Sequence, residues 1–368
     1  MPTGDTQDIK DMLHARILEV CQDCLPGGRR QGRLYVANNP VTGDYKKTPQ
    51  TKVALDQDVG AWIDWRSNAK GDVFKLIEYT QGTDFKGAMV WARDFLGLHS
   101  MSFQERSRMK EQARKRAVQQ TDEADKIRQW KIIKAKKIFL AGDPLDAETP
   151  AAVHVRAYLC ARLGISSLHE IPNFAWDTFR ASPSQEWWKG AEWKVRDGKR
   201  VKVKNGPDFP CMLAAFKVPT GQVTACHFTF LDPLSPKKAP VDPPKLQLGE
   251  AKGAAIWLTH GPEQKSISEA QEAHVLGLFE GIETGLSMAL EATDWRICAG
   301  GSLSNMGNVP IGLPVISAVA LGRDNNAGNQ AAQLGFDRTL ERLEDAGKHI
   351  HVFNPHFGDD FNDILKED

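Results

Sequence analysis

Carboxylates recur at the ends of short apolar runs in the last part of this 368-residue chain. Three runs are each followed by an acidic residue: 274–279 by Glu280, 315–321 by Asp324, and 349–353 by Asp360. Each side chain could bind a metal ion or accept a proton. One acidic residue after one run is weak support for a site, but the ordered set of three is much stronger.

Apolar runs separated by helical patterns are typical of a parallel β-sheet, in which functional groups gather at the carboxyl ends of the strands. We therefore expect Glu280, Asp324 and Asp360 to meet at one edge of a sheet. Carboxylates that lie close together repel one another unless a cation neutralises them, and hard oxygen ligands suit Mg²⁺. The pattern predicts a divalent-metal site.

Some of these acidic residues also have structural explanations. Glu283 falls in the first turn of the helix predicted after Glu280, where complementing the helix dipole would explain it equally well. Asp324 opens the next predicted helix and could be its N-cap. Both interpretations stay open for these residues.

Composition limits the class of protein. Lysine plus arginine and aspartate plus glutamate both number 47, so net charge indicates no class of partner. No apolar run approaches the ~18 residues needed to span a membrane, and residues 1–10 lack the apolar core of a signal peptide. Six cysteines spread over this length are not a disulfide framework. We expect a cytoplasmic, reduced protein with no membrane partner.

Four segments are predicted along the chain. They are a compact unit at 1–100, a basic helical linker at 101–148, a mixed segment at 149–265 and an α/β domain at 266–368. The linker helix is rich in Lys and Arg, so it is either solvated or faces nucleic acid. Within the mixed segment, 189–204 reads as a basic hairpin and 232–249 as a Pro-rich loop rather than a strand.

The C-terminal motifs resemble the Toprim domain that topoisomerases and bacterial-type primases share. They are Glu280-Gly281-Ile282-Glu283-Thr284, the run Asp324-Asn325-Asn326-Ala327-Gly328, and Gly358-Asp359-Asp360-Phe361-Asn362-Asp363-Ile364-Leu365. The resemblance implies a Rossmann-like domain with a parallel sheet. It also implies that a Glu and an Asp-x-Asp pair hold Mg²⁺, or Mn²⁺, for phosphoryl transfer.

The family's metal ligands carry over to particular positions. Glu280 is the Glu, Asp324 is the first Asp, and Asp360 and Asp363 belong to the last acidic cluster. Asn326 stands where the second Asp is expected. An amide offers an oxygen without a charge, so weaker metal binding is expected.

The resemblance to primases extends upstream. Residues 157–165, 208–212, 227–229 and 245–249 resemble pieces of the primase catalytic core. Lys245 would then face the template and the incoming nucleotide, although a lysine on a Pro-rich loop is more often simply solvated.

The first hundred residues resemble a primase zinc-binding domain, a zinc-ribbon-like fold, without its Cys and His ligands. Cys21 and Cys24 form a Cys-x-x-Cys pair inside the first predicted helix, 9–24. A tetrahedral zinc site needs four ligands and this pair supplies two, so we expect no zinc and interpret the cysteines as helix packing.

Together these patterns predict a Toprim primase-like protein of phages, plasmids or integrated elements. It would synthesise primers on single-stranded DNA from nucleoside triphosphates. Lys245, Arg196, Arg200 and Arg323 would bind phosphates of the template or nucleotide. A separate helicase or replication initiator is the expected partner. A Toprim nuclease and a non-catalytic single-strand-binding module, which Asn326 favours, are the alternatives.

Overall fold

The computed structural model describes most of the chain. The described ranges are 4–43, 49–56, 58–99, 103–196, 199–323 and 330–354. Four predicted metal ligands lie outside these ranges, namely Asp324, Asn326, Asp360 and Asp363. Arg200 lies in a described strand, but its side chain is outside the description.

The chain divides into two compact units, 1–127 and 128–368. The fold is mixed α/β with a parallel sheet near the C-terminus, as the sequence predicts. The division into four segments stays a prediction.

The first unit combines an antiparallel sheet with helices. Its helices are α1 Gly4–Ala15, α2 Ile17–Cys24, α3 Val73–Gln81, α4 Phe85–Phe95 and the start of α5 Phe103–Ala141. Its strands are β1 Arg29–Gln31, β2 Leu34–Ala37, β3 Thr51–Ala54, β4 Trp62–Asp64 and β5 Lys70–Gly71. Over the described residues, the strands pair in sequence order as one five-stranded sheet. Apolar faces of α1 to α4 bury a common core that includes Leu13, Val20, Val53 and Leu76.

Local signals explain where these helices begin and end. Helix α3 starts after Asp72, whose carboxylate accepts a hydrogen bond from the Lys75 N–H at 3.1 Å. It ends at Gly82, which has the left-handed φ of 61°. The prediction of a single helix over 9–24 is wrong, because the helix is interrupted at Arg16, which separates α1 from α2.

Cys21 and Cys24 both lie in α2 and are buried in the core of this unit. Burial raises the pKa of Cys21 to about 12 and that of Cys24 to about 11. Both thiols therefore stay protonated at neutral pH, as expected for packed cysteines.

A buried carboxylate joins two strands and a turn of the first sheet. Asp64 accepts hydrogen bonds from the Thr51 hydroxyl at 2.7 Å, the Ser67 N–H at 2.7 Å, the Ser67 hydroxyl at 2.9 Å and the Arg66 N–H at 3.1 Å. Burial opposes ionisation of Asp64, but the donors of Ser67, Thr51 and Asn39 outweigh it and lower its pKa. Asp64 is therefore an ionised hub at neutral pH.

The second unit contains two five-stranded sheets and a separate hairpin within its described part. Its helices are α6 Pro150–Leu163, α7 Ile282–Glu291, α8 Leu303–Met306 and α9 Gln330–Glu344. Its strands are β6 Asp143–Pro144, β7 Phe179–Glu186, β8 Glu192–Arg196, β9 Lys199–Lys204, β10 Asp208–Lys217, β11 Val223–Phe230, β12 Lys245–Gly249, β13 Ile256–Trp257, β14 His274–Phe279, β15 Arg296–Ala299, β16 Ile316–Gly322 and β17 Ile350–Phe353.

The first of these sheets is antiparallel, in the order β12-β11-β10-β7-β6. Residues 245–249, predicted as part of a loop, instead form strand β12 along β11. The prolines of this segment stop at Pro244, so the following backbone N–H groups are free to pair with β11. Strands β8 and β9 form the basic hairpin that the sequence predicts.

The second sheet has the order β13-β15-β14-β16-β17, in which all neighbours are parallel except β13 and β15. The three apolar runs of the sequence are strands β14, β16 and β17, which confirms that prediction. Phe279, Leu286 and Ile297 bury one face of this sheet beneath α7. Leu278, Val319 and Phe336 bury the other face beneath α9.

Helix α5 is the long polar helix that the sequence predicts, and the boundary between the units falls inside it. Near its start, Lys110 pairs with Asp8 at 2.9 Å in the first unit. Near its end, Ala135 and Phe139 are buried in a core of the second unit. None of the helices in the described ranges is both long and apolar enough to cross a membrane.

We expect Asp64→Ala to weaken the first unit locally, because it leaves the buried hydroxyl of Thr51 without an acceptor and removes the part-buried hydrogen bonds from Arg66 and Ser67. One orphaned buried donor costs about 1–3 kcal/mol and each lost hydrogen bond about 0.5–1.5 kcal/mol, so a total near 3 kcal/mol is expected. Hydrogen exchange in peptides covering β2 to β4 should become about 100-fold faster. Asp23→Ala, at an exposed carboxylate of α2, is the control. Equal exchange rates in both variants would refute the role of Asp64.

The same hub predicts sensitivity to acid. Because the folded pKa of Asp64 is lowered, its contribution is complete above the unfolded pKa of ~3.9 and is lost as pH falls through the folded value. Protection in β2 to β4, expressed relative to the intrinsic exchange rate at each pH, should therefore fall on acidification below pH ~4, and this loss of protection should be absent in Asp64→Ala.

Candidate active site at the carboxyl edge of the parallel sheet

The candidate site lies where the parallel strands end. Strand β14 is central, with Phe279 beside Ala299 of β15 and Leu278 beside Leu321 of β16. Glu280 directly follows β14, and Arg323 directly follows β16. The strand end that precedes Asp324 is thus adjacent to the end that carries Glu280, whereas β17, which precedes Asp360, lies one strand further out, beside β16.

Glu280 is a half-buried carboxylate at this edge. Its backbone carbonyl accepts a hydrogen bond from the Gly301 N–H at 2.9 Å, and its side chain accepts one from the backbone N–H of Leu303. Burial raises the pKa of Glu280, although Leu303 and the positive charge of Lys245 partly offset the effect. A carboxylate in this environment favours a nearby cation.

Glu283, three residues further on, is the most heavily engaged carboxylate of the region. It is only 4% exposed, in the first turn of α7. Tyr158 donates its hydroxyl to Glu283 Oε1 at 2.6 Å, while Lys245 Nζ lies 2.7 Å from Oε2 and Lys238 Nζ lies 3.1 Å from Oε1. Burial opposes the charge, but the two lysines hold the pKa of Glu283 well below its ordinary value.

The charge on Glu283 therefore has a tertiary role that its position in the sequence does not reveal. Complementing the helix dipole explains only where Glu283 sits in α7. Tyr158 comes from α6, Lys245 from β12 and Lys238 from the loop before it, so one carboxylate joins three segments. We call Glu283, Tyr158, Lys238 and Lys245 the Glu283 cluster.

A buried imidazole lies next to the Glu283 cluster. His227 of β11 is 6% exposed, and its Nδ1 lies 3.5 Å from the Thr229 hydroxyl. Burial, reinforced by the charge of Lys245, lowers the pKa of His227 to about 3. His227 is thus neutral at physiological pH, and it adds no third positive charge opposite Glu283.

Lys245 connects the Glu283 cluster to the carboxyl edge. Its side chain is 32% exposed, so its ammonium group is held by Glu283 without being sealed from water. The same charge favours ionisation of Glu280. The structure thus brings two residues predicted from the sequence, Glu280 and Lys245, into one electrostatic environment.

The remaining predicted basic residues have different surroundings. The guanidinium of Arg323 lies 4.9 Å from the ring centre of Phe336. The backbone N–H of Arg323 donates to the Phe353 carbonyl at 3.0 Å. Arg196 is exposed at the end of β8, in the separate hairpin. Their roles in binding phosphates stay predictions.

One of the predicted Mg²⁺ ligands, Glu280, lies within the described residues. Glu280 offers a hard oxygen donor whose charge is otherwise poorly compensated, which suits a divalent cation. The other predicted ligands are outside the described ranges. Within those ranges, no group of three or more His, Cys, Asp or Glu side chains could hold a metal ion.

The sequence assigns no role to Tyr158 or Lys238, although both contact Glu283. Tyr158 lies in a segment that resembles primases, and this motif could have indicated a functional residue. Lys238 lies among prolines, and nothing in the local sequence indicates its partner, because only the fold brings it to Glu283.

Comparison with known families identifies two segments. Residues 275–368 match a family described as the Toprim domain. Residues 129–258 match a family described as a domain of unknown function (DUF7146). Among curated proteins, no sequence matches significantly.

Solved structures that are similar to this chain include three primase domains. The zinc-binding and RNA polymerase domains of the Aquifex aeolicus primase are 13% identical, over 98% of this chain and 82% of that one, with a TM-score of 0.37. A DnaG primase catalytic domain bound to single-stranded DNA is 15% identical, over 66% and 79%, with a TM-score of 0.42. A DNA primase domain from Pseudomonas aeruginosa is 13% identical, over 64% and 74%, with a TM-score of 0.41.

We expect Glu283→Gln to destabilise the second unit, because it removes the charge that compensates Lys238 and Lys245. Breaking a buried ion pair costs about 3–5 kcal/mol, and we expect the lower end because both lysines are partly hydrated. Denaturant unfolding of the full chain provides the measurement. Glu291→Gln, at an exposed position of the same helix, should change stability by less than about 0.5 kcal/mol. A loss below 1 kcal/mol in Glu283→Gln would contradict the proposed compensation.

Proposed function

We propose that this chain, whose residues 275–368 form a Toprim domain, is a primase-like nucleotidyltransferase. It would synthesise primers on single-stranded DNA in phage- or plasmid-type replication, with a separate helicase or initiator as partner. Mg²⁺ or Mn²⁺ would be the cofactor, held by Glu280 with Asp324, Asn326, Asp360 and Asp363.

One observation carries the proposal. A half-buried carboxylate, Glu280, ends the central strand of the parallel sheet, and Lys245 is held from the neighbouring antiparallel sheet in the same electrostatic environment. Phosphoryl transfer needs a metal ligand and fixed positive charge around one reaction centre. The primase-like motifs at 157–165 and 245–249 contribute Tyr158 and Lys245 to this environment, which supports the same interpretation.

Each residue has a distinct task in this proposal. The bound metal would neutralise the triphosphate and favour attack by the primer 3′-hydroxyl. Glu280 would supply one oxygen ligand. Lys245 would contact a phosphate of the nucleotide or template, while Glu283 keeps its ammonium group in position. Tyr158 would fix the rotamer of Glu283 through its short hydrogen bond.

The β8–β9 hairpin supplies a second surface suited to single-stranded DNA. Strand β8 is exposed along its length and carries Trp193, Lys194 and Arg196. Lys202 of β9 lies 5.8 Å from the centre of the Trp193 ring. Exposed aromatic rings stack on bases, while neighbouring cations attract phosphates. We assign this hairpin to the template.

A non-catalytic single-strand-binding protein is the second candidate, because Asn326 removes one of the charges expected at the metal. Such a protein would bind DNA equally well with and without a chelator. A nuclease with the same metal edge would instead cut labelled DNA in Mg²⁺ or Mn²⁺ without nucleotides. The two assays separate these functions from primer synthesis.

Glu280→Gln should reduce primer synthesis by about 100-fold or more, because it removes a charged metal ligand and several kcal/mol of charge stabilisation. The assay contains single-stranded DNA, nucleoside triphosphates and Mg²⁺. Glu291→Gln should retain wild-type activity. Unchanged synthesis in both Glu280→Gln and Asp324→Asn would overturn the proposal, as would wild-type protein that binds DNA but makes no primer.

The hairpin assignment predicts two separable effects on binding of single-stranded DNA. Trp193→Ala should weaken affinity by about 5- to 100-fold, the 1–3 kcal/mol typical of one stacked base. Arg196→Ala should reduce the slope of log affinity against log salt by about 0.7, the value for one phosphate contact on a single strand. Val195→Ala, exposed on the same strand, is the matched control. If all three variants bind like wild type, the hairpin does not contact DNA.

A further inference from the structure

Arg296, the first residue of β15, has hydrogen-bond donors without an acceptor. The residue is only 2% exposed, and its Nη1 donates to the Lys265 carbonyl at 2.8 Å. Its Nε and Nη2 are buried without a hydrogen-bond partner. These two nitrogens share the edge of the guanidinium that binds two oxygens of a carboxylate or phosphate in parallel.

The acidic residue that attracts Arg296 does not fill this edge. Glu263 attracts Arg296 through space, but its carboxylate is committed elsewhere. It accepts hydrogen bonds from the Gln271 N–H at 3.1 Å, from the Glu272 N–H at 3.0 Å and from Lys265 Nζ at 3.3 Å. Two buried donors left without an acceptor are costly, which favours an outside ligand.

Arg296 lines a cavity of about 380 Å³, within the range of small-molecule sites. Other lining residues include Asp177, Lys217, His260, Ser266 and Ser268. Gly261, with a φ of 67°, covers the guanidinium. A Cβ at Gly261 would come within 3.4 Å of Cζ and Nη2 of Arg296. The glycine therefore lets the backbone pack closely against the guanidinium, which helps to fix its position at the wall of the cavity.

The acidic groups of the cavity are already paired. Asp177 accepts hydrogen bonds from Lys217 and, at 2.9 Å, from His260. Glu269 accepts the Ser266 hydroxyl at 2.6 Å. Lys217 donates to the side chain and the backbone carbonyl of Asp177, so one of its three N–H groups remains for a ligand. Two cationic side chains of the cavity, Arg296 and Lys217, therefore offer unused donors.

We propose that this cavity binds an oxyanion of the phosphate class, with two of its oxygens on Nε and Nη2 of Arg296 and a third near Lys217. The site lies at the amino end of β15. Glu280 follows Phe279, whose neighbour Ala299 is three residues after Arg296, or roughly 10 Å along the strand. The site is separate from the carboxyl edge and does not depend on the proposed function.

Calorimetric titration of the full chain tests the site with three probes: orthophosphate, a nucleoside monophosphate, and a short single-stranded oligonucleotide without terminal phosphate. Wild type should bind at least one of them saturably. Arg296→Gln should weaken that binding about 10- to 100-fold, the value of one bidentate charge-assisted contact. Arg296→Lys should also be weak, because an ammonium group cannot supply the parallel pair. The probe that binds tightest identifies whether the phosphate is free, on a nucleotide or in a nucleic-acid backbone.

Arg342→Gln, at an exposed arginine of α9, is the matched control and should bind like wild type. If Arg296→Gln fails to fold, hydrogen exchange in the wild type replaces it. The best-binding probe, against chloride at equal ionic strength, should then slow exchange in residues 259–269 and leave the β8–β9 hairpin unchanged. Absence of saturable binding by every probe, equal binding in Arg296→Gln and wild type, or no slowing in 259–269 would overturn the site.

Discussion

The ionised carboxylate of Glu283 is the constraint on which the second unit depends. Its charge is buried at the start of α7, and it is stable there only because Tyr158, Lys238 and Lys245 converge on it. These partners come from a helix, a loop and a strand of the antiparallel sheet, whereas Glu283 lies in α7, which packs on the parallel sheet. A buried ion pair adds little net stability, but it penalises any arrangement in which the charges separate. The cluster therefore selects one placement of Lys245 relative to the carboxyl edge.

Neighbouring groups are consistent with this arrangement. His227 is kept neutral next to the two lysines, so the cluster contains two cations and one anion. Its excess positive charge faces the edge where Glu280 stands. Arg296 lies at the other end of the same sheet, where the charge of Glu263 attracts it without a hydrogen bond. The two ends of one parallel sheet thus differ in charge: a carboxylate stands at the carboxyl end and a guanidinium at the amino end.

The sequence predicted much of the sheet that carries the candidate site, and less of its polar interior. Strand β14 could be predicted because a short, mostly apolar run ends at a glutamate, and the structure buries or half-buries all six of its residues. Strand β12 could not, because its pairing with β11 outweighs the neighbouring prolines. Glu283 resembles a dipole complement in the sequence, since its partner Tyr158 is 125 positions away. Arg296 begins an apolar run and shows its burial only once the loop at 261–265 folds over it. Long-range polar partners of this kind leave no local periodicity to detect.

The Asp64 hub in the first unit has a consequence for how that unit is assembled. Its acceptor is a carboxylate, and its donors are hydroxyl and amide groups of the same polypeptide. The donors come from β3 and from the turn that follows β4, so both lie next to Asp64 in the sheet. Assembly of this small sheet therefore depends on the charge of a single side chain.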